Sequence, residues 1–480
     1  MTAPERLLAT QDIATLFDAQ RAASRTDQQV ALSIRLDRIE RALAMMVAHC
    51  DRLCAVMSAD FGTRPKEQSL AIDITATIDS LKTARRNLHK WMRPERRAAN
   101  FPMGILGVRA HVHHRPLGVV CIIGAWNFPV GTVTVPMAGA LAAGNRVLIK
   151  PSEMTPRTAA ALADAVAEFF AQDEVAVVTG DASVGRQLTS LPFDRIVFTG
   201  GATTARHIMR AAAEHLVPLT LELGGKSPVI VGNRADLPQA ARQIMFGKLL
   251  NAGQVCVGPD YVLVPKPLRE ALVSELVAAT ARMFPRMHGN PDYTDIATDA
   301  HRQHLRALLA DARDKGAREL VINPANEPLE VPGSGKILPR LLFDVDDDMA
   351  VMQQEIFGPI LPVLGYERID EALDYVNARP RPLALYYFGH DAREAKRVID
   401  GTVSGGVTVN DVLLHAAQEQ VPFGGVGASG FGQYRGFDGF REFSTPQAVL
   451  RQSRLNLVWG LLRPPYTPFK LRALRALVSR

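Results

Sequence analysis

PLGVVCIIGAWNFPVGTVTVPMAGALAAGNRVLIK, running from Pro116 to Lys150, decides the fold of this 480-residue chain. No charge interrupts residues 116–145, a run long enough to cross a bilayer. Its punctuation argues against that. Asn127, Pro129 and Pro136 lie within it, with glycines at 118, 124, 131, 139 and 144. Such breakers suit a buried strand over Val119–Ile123, a turn, a tightly packed helix and a second buried strand over Arg146–Ile149. This is a strand-helix-strand unit of a parallel sheet in a soluble core.

Outward from that unit the alternation continues. Thr155 is placed to cap a helix, with Pro156 at its first position, running to about Ala171. Short apolar strands are expected at Val175–Val178, Arg195–Phe198 and Leu219–Leu223, with a helix over Ala205–His215. The series then restarts with a helix near Leu237–Asn251, a strand at Tyr261–Val264 and a helix at Pro267–Met283. Further units run to Val409. Two such series imply two α/β domains. Before them, apolar spacing predicts helices over Ile13–Ala23, Leu32–Met57 and Leu70–Trp91. The His111-Val-His-His-Arg-Pro segment reads as an exposed strand.

Composition narrows the function. Hydrophobic residues at 47% and charged residues at 22% fit a soluble globular chain. The net charge of +6 is local: seven of the 55 basic residues fall after Phe443, where no acidic residue occurs, and the other 48 meet 49 acidic ones. That places the basicity on a tail rather than on a nucleic-acid-binding face. Four cysteines, at 50, 54, 121 and 256, make neither a disulfide framework nor a zinc set, so no metal is expected. The N-terminal residues lack a signal-peptide layout, and a cytoplasmic home is expected.

Several residues invite chemistry. Cys256, in Asn-Ala-Gly-Gln-Val-Cys, sits in a small-residue loop beyond a helix. It suits a nucleophile, although a lone cysteine is more often a small buried hydrophobe. Glu222 ends a strand beside two glycines, where a carboxylate can meet a ligand; a solvated edge-strand charge fits the segment equally. Asn127 is an amide suited to holding an oxyanion, or else a turn residue before Phe-Pro. Lys150 and Glu153 stand where parallel strands bind nucleotides, or in an exposed charged loop. Thr199 and Gly200 open a strand-to-helix turn able to receive a pyrophosphate, a weak signal without a GxGxxG pattern.

Their order is the specific feature. Trp126-Asn-Phe-Pro, Lys150-Pro-Ser-Glu, Phe198-Thr-Gly, Glu222-Leu-Gly-Gly-Lys, Gly253-Gln-Val-Cys, Glu355-Ile-Phe-Gly-Pro and Pro422-Phe-Gly-Gly together resemble the aldehyde dehydrogenase superfamily over about residues 10–450, in its class 3-like branch. Asn290-Pro-Asp-Tyr-Thr, Gly406-Val-Thr-Val-Asn-Asp-Val-Leu-Leu-His and Gly424-Gly-Val-Gly-Ala-Ser-Gly look like bacterial coniferyl aldehyde dehydrogenases.

The resemblance implies a Rossmann-like cofactor domain (1–97 and 117–221), a second α/β catalytic domain (222–416), a small β oligomerisation arm (98–116 and 417–453) and a tail (454–480). It makes Cys256 the nucleophile, Asn127 with the Cys256 N–H the oxyanion donors, and Glu222 the base that activates water. Lys150, with Glu153 nearby, would hold the adenosine ribose, and Thr199 and Gly200 would begin the phosphate site. Glu355 would hold the nicotinamide ribose, with Phe357 against that ring. The implied cofactor is NAD, with NADP possible; the implied partners are an aldehyde and a second copy of the chain.

A CoA-acylating relative would lack the Glu222 base, and a silent binding protein would not keep Cys256, Asn127 and Glu222 together. Two positions depart from the family pattern. Ala205 replaces a glycine, which bears on cofactor affinity, and Val255 replaces a threonine, also β-branched. In the tail, Leu471, Leu474 and Val478 share a helical face that Arg475 interrupts, so packing on the body or on a partner is expected over membrane binding. Cys256→Ser is expected to abolish NAD-dependent aldehyde oxidation, since a serine hydroxyl is far less nucleophilic near neutral pH. Turnover retained by the purified variant would sink the assignment.

Overall fold

The computed structural model describes residues 10–27, 29–101, 103–454 and 457–478. The start of the expected cofactor domain, residues 1–9, and the tail positions Leu455 and Arg480 lie outside the described residues.

Two strands, β1 (Glu95–Arg97) and β2 (Arg109–Pro116), precede the first sheet. That sheet is built from β3 (Val119–Ile123), β4 (Arg146–Lys150), β5 (Val175–Val177), β6 (Arg195–Thr199) and β7 (Leu219–Glu222). The second sheet has β8 (Pro228–Val231), β9 (Tyr261–Pro265), β10 (Arg318–Val321), β11 (Arg340–Phe343), β12 (Ile360–Tyr366), β13 (Ala384–Phe388) and β14 (Gly406–Val409). Last come β15 (Gly430–Phe431) and β16 (Ser444–Arg451).

The first sheet runs β15-β7-β6-β3-β4-β5, parallel except for β15. The chain starts at β3, winds outward to β5, then returns to the other side of β3. This is the doubly wound order expected of a dinucleotide fold. The second sheet, β10-β11-β12-β9-β8-β13-β14, repeats the scheme from β8, with only β10 antiparallel. Strands β3, β4, β8 and β9 are buried along their whole length, as sheets covered on both faces require. Both α/β series read from the sequence are therefore present.

The third sheet, β1-β2-β16, is antiparallel. It redraws the expected arm at two places. Glu95–Arg97 pairs with β2 and so joins the arm. Gly430–Phe431 leaves it to extend the first sheet beside β7. A Cβ on Gly430 would overlap the Leu221 carbonyl, so only glycine lets this strand approach. The expected exposed strand β2 is half-buried over most of its length, because strands flank it on both sides.

The N-terminal helices also differ from the periodicity. The single helix expected over Leu32–Met57 is two, Leu32–Ala48 and Cys50–Phe61, meeting at His49 at 61°. The bend lays the second along the helix Pro156–Phe169. There Asp60 accepts the Thr158 amide at 2.8 Å and the Arg157 amide at 3.2 Å. Thr155 is at the cap position as expected, but Asp60 supplies the capping oxygens. The third helix begins at Lys66 and includes a π-helical turn at Leu70–Ile74 before Thr75–Trp91. Among the described residues no single helix is long and apolar enough to cross a membrane. The tail forms two short helices, Leu457–Leu462 and Pro468–Val478, with Trp459, Tyr466, Phe469 and Leu471 exposed.

Candidate active site

Four sequence-derived candidates lie along one edge. The register pairs Ile123 with Lys150 and with Phe198, and Thr199 with Glu222, so the carboxyl ends of β4, β3, β6 and β7 form a row. Lys150, Thr199 and Glu222 end their strands, and Asn127 lies in the loop after β3. The Gly124 amide donates to the Lys150 carbonyl at 3.0 Å, and the Gly200 amide to the Glu222 carbonyl at 3.1 Å, tying the loops to this edge.

Cys256 arrives from the second series. Asn251, Ala252 and Gly253 before it are all left-handed, with φ of 50°, 53° and 81°. For Asn and Ala such conformations cost roughly 1–3 kcal/mol each, and they persist only where surrounding contacts hold them. Gln254 provides those contacts. Its Nε2 donates to the Asn251 carbonyl at 2.8 Å and the Asp295 carbonyl at 3.1 Å, while its Oε1 accepts the Ala297 amide at 2.9 Å. A Cβ at Gly253 would overlap the Gly358 carbonyl. The Asn-Ala-Gly-Gln sequence is thus a geometric requirement for presenting Cys256.

The two loops are joined by hydrogen bonds. Asn127 Nδ2 donates to the Gln254 carbonyl at 3.1 Å, and Asn251 Nδ2 donates to the Asn127 carbonyl at 3.1 Å. An amide carries two N–H bonds, and the Gln254 carbonyl takes one of those of Asn127.

Electrostatics separates the roles further. Burial pushes the Glu222 carboxyl up to about 8; the Tyr434 hydroxyl and Arg435 favour its ionised form without overcoming that effect. Neither Glu222 oxygen makes a close hydrogen bond. The sequence alternative of a solvated edge charge fails, since Glu222 is buried and β7 lies between β6 and β15. Burial also pushes the Cys256 thiol up, helped by the charges of Glu222 and Glu355 and opposed by the amides of Val257 and Cys256. Both effects favour the neutral thiol and the neutral carboxyl, which lie near each other in the site.

The remaining candidates divide into two groups. Glu355 is half-buried, and desolvation and Asp260 push it up to about 8, against the Gly225 amide, Lys226 and Lys248. Gly224 has no room for a Cβ beside this carboxylate. A clamp fixes the backbone around it. Lys226, paired with Asp260, donates to the Gln354 carbonyl at 3.1 Å, and Asp260 accepts the Ile356 amide at 3.1 Å. Phe357 is left-handed at φ 54°, its carbonyl accepting His301 Nε2–H at 2.8 Å, and its ring lies 5.4 Å from that of Trp126. Lys150 and Glu153 form a separate ion pair at 2.7 Å further along the edge.

These residues fit a dinucleotide. The Thr199 hydroxyl is buried without a partner, and the helix Ala202–Ala213 starts at Gly201 with no side chain capping its amides. Ala205, on that helix, is buried in the apolar cluster that also holds Phe198 and Ile208.

Comparison with known proteins agrees with this arrangement. The model of the aldehyde dehydrogenase family matches residues 6–449. The chain belongs to the aldehyde dehydrogenase family. It is 48% identical, over 97% of both chains, to a probable coniferyl aldehyde dehydrogenase of Caulobacter vibrioides. It is 46% identical to a coniferyl aldehyde dehydrogenase of a Pseudomonas species, over 96% of this chain and 95% of that one. A substrate-bound Staphylococcus aureus AldH structure superposes with a TM-score of 0.90 at 34% identity, covering 97% of this chain and 99% of that one. This aldehyde dehydrogenase accordingly oxidises an aldehyde to a carboxylic acid with reduction of a nicotinamide cofactor.

Sequence reasoning quoted Gln254 and Lys226 within motifs without giving them a role, and passed over Asp260 and Tyr434. Because Glu222 must be ionised to act as a base, turnover should rise with pH as Glu222 titrates near 8. In Glu222→Gln an NADH burst should persist, followed by a steady rate lower by roughly 10²–10⁴-fold without that inflection. Stopped-flow traces lacking the burst would assign Glu222 to binding or folding instead.

Proposed function

We propose that the chain oxidises aromatic or α,β-unsaturated aldehydes of the coniferyl aldehyde type, through a thioester on Cys256. The observation that carries the mechanism is the convergence of Cys256, Asn127 and Glu222 on one desolvated site. Cys256 gives its thiol proton to ionised Glu222, which passes it on to solvent; the thiolate attacks the aldehyde carbon, and the new alkoxide takes hydrogen bonds from Asn127 Nδ2 and the Cys256 amide. The nicotinamide ring supplies the hydride acceptor. Loss of hydride from the tetrahedral adduct leaves the thioester. Glu222 takes a proton from water, the resulting hydroxide attacks the thioester carbon, and the acid leaves as the Cys256 thiolate is released.

Glu355 would hold the nicotinamide ribose with Phe357 beside the ring. Lys150 and Glu153 would hold the adenosine ribose, and Thr199 and Gly200 the phosphates. The Glu153 carboxylate beside the ribose would oppose a 2′-phosphate, which favours NAD over NADP.

Two observations support the substrate class. The most similar relatives reported above carry coniferyl aldehyde in their names. Aromatic rings also flank the Asn127 loop: Trp126 lies 5.4 Å from Phe357, 5.7 Å from His301 and 6.3 Å from Phe61. Flat conjugated substrates stack on such surfaces. Fatty or general aliphatic aldehydes are the alternative reading.

We also propose a cytoplasmic homodimer. A thiol nucleophile needs a reducing compartment, and β16 offers a free strand edge with Leu450 exposed. In this reading the residues of β1, β2 and β16 form the oligomerisation arm, with the exposed tail helices against the partner. A light-scattering mass of one chain would exclude the dimer.

The deciding experiment is a panel of coniferyl aldehyde, benzaldehyde, hexanal and decanal with NAD and with NADP. Coniferyl aldehyde with NAD is expected to give the highest kcat/KM. A higher value for decanal would replace the aromatic reading with the aliphatic one.

A further inference from the structure

Beneath the Asn127 loop lies an ion pair that the catalytic steps do not use. Arg64 Nη2 and Asp73 Oδ2 are 2.6 Å apart, and both side chains are fully buried. Each group reaches the oxyanion loop from below. Arg64 Nη1 donates to the Asn127 carbonyl at 3.0 Å, the acceptor that also receives Asn251 Nδ2. Asp73 Oδ1 accepts the Val130 amide at 3.1 Å and the Gly131 amide at 2.8 Å, capping the start of the helix Gly131–Ala143. The guanidinium lies against the rings of Phe61 at 4.9 Å and Phe128 at 5.3 Å. Asp73 stands on the π-helical turn Leu70–Ile74, a local widening that helices often carry at functional sites.

We infer that Arg64 and Asp73 are positioning residues for the oxyanion donor. The pair joins the entry to the loop, at the Asn127 carbonyl, to its exit, at the Val130 and Gly131 amides. The loop is thereby closed into a ring of hydrogen bonds. A buried ion pair is a poor source of stability, since desolvation offsets its attraction. A geometric role explains its presence better. Asn251, which bonds the same carbonyl, extends the ring to the Cys256 loop, so donor and nucleophile share one anchor.

This inference rests on the reading of Asn127 as the oxyanion donor, and the test separates the two. Because single substitutions strand a buried charge, the informative variant replaces both groups by apolar ones of similar volume, Arg64→Met with Asp73→Leu. The melt should stay cooperative, at a temperature lowered by loss of the acceptor for the Val130 and Gly131 amides, and NAD binding by fluorescence quenching should remain near that of the parent protein. The rate of the NADH burst, which reports adduct formation and hydride loss, should fall about 10–100-fold, the effect of misplacing a reacting group by about an ångström.

Asn127→Ala should lower the same burst, and adding the paired substitution to Asn127→Ala should lower it no further. A folded paired variant with the parent burst rate would overturn the inference while leaving the oxyanion reading intact. So would losses that multiply in the triple variant. An Asn127→Ala protein with an unchanged burst would remove the oxyanion reading, and the positioning role with it.

Discussion

Desolvation of two carboxylates beside one thiol is the constraint on which the rest of the site depends. Burial opposes the charged form of each of Glu222, Glu355 and Cys256, and the two carboxylates further oppose ionisation of the thiol. The consequence is chemical: a carboxyl group that titrates near 8 holds or releases a proton in the range where the enzyme must work. It also bears on stability. The two folded carboxyl groups titrate near 8, above the ordinary value of 4.5, so their contribution favours folding at low pH. That contribution is lost as pH rises from about 4.5 through 8. The site therefore works against the fold at neutral pH and must be held by other contacts.

Those contacts are mostly hydrogen bonds to backbone. Gln254 fixes the left-handed turn before Cys256, and the Lys226–Asp260 pair brackets Glu355 on both sides. The Arg64–Asp73 pair does the same for the Asn127 loop. Stranding one member of such a buried pair costs about 3–5 kcal/mol. These groups are thus coupled to the fold as tightly as a core side chain, although they sit within reach of the chemistry. Glycine contributes where side chains cannot be tolerated: Gly224 makes room for Glu355, and Gly430 lets the glycine-rich segment run beside Glu222.

Much of the architecture was legible because its signals are local. Val119–Ile123 and Arg146–Lys150 are apolar runs bounded by glycine, and both are fully buried parallel strands. The helices that misled the periodicity did so for identifiable reasons. His49 carries no breaker signature, and the bend there serves a packing partner more than a hundred residues away. The π-turn at Leu70–Ile74 inserts a residue into a repeat that apolar spacing cannot resolve.

The sequence by itself determined the two α/β series, the position of Lys150, Thr199 and Glu222 each at or beside the end of its own strand, and the motif order that marks the family. Each depends on residues adjacent along the chain, where spacing translates directly into geometry. Only the tertiary structure decided which residues meet. Asn127 and Gln254 are 127 residues apart, Arg64 and Asn127 63 apart, and Glu222 lies beside Tyr434 through a strand that joined an unexpected sheet. The ionisation of Glu222 belongs to that second category, since desolvation depends on what the distant chain lays over a carboxylate.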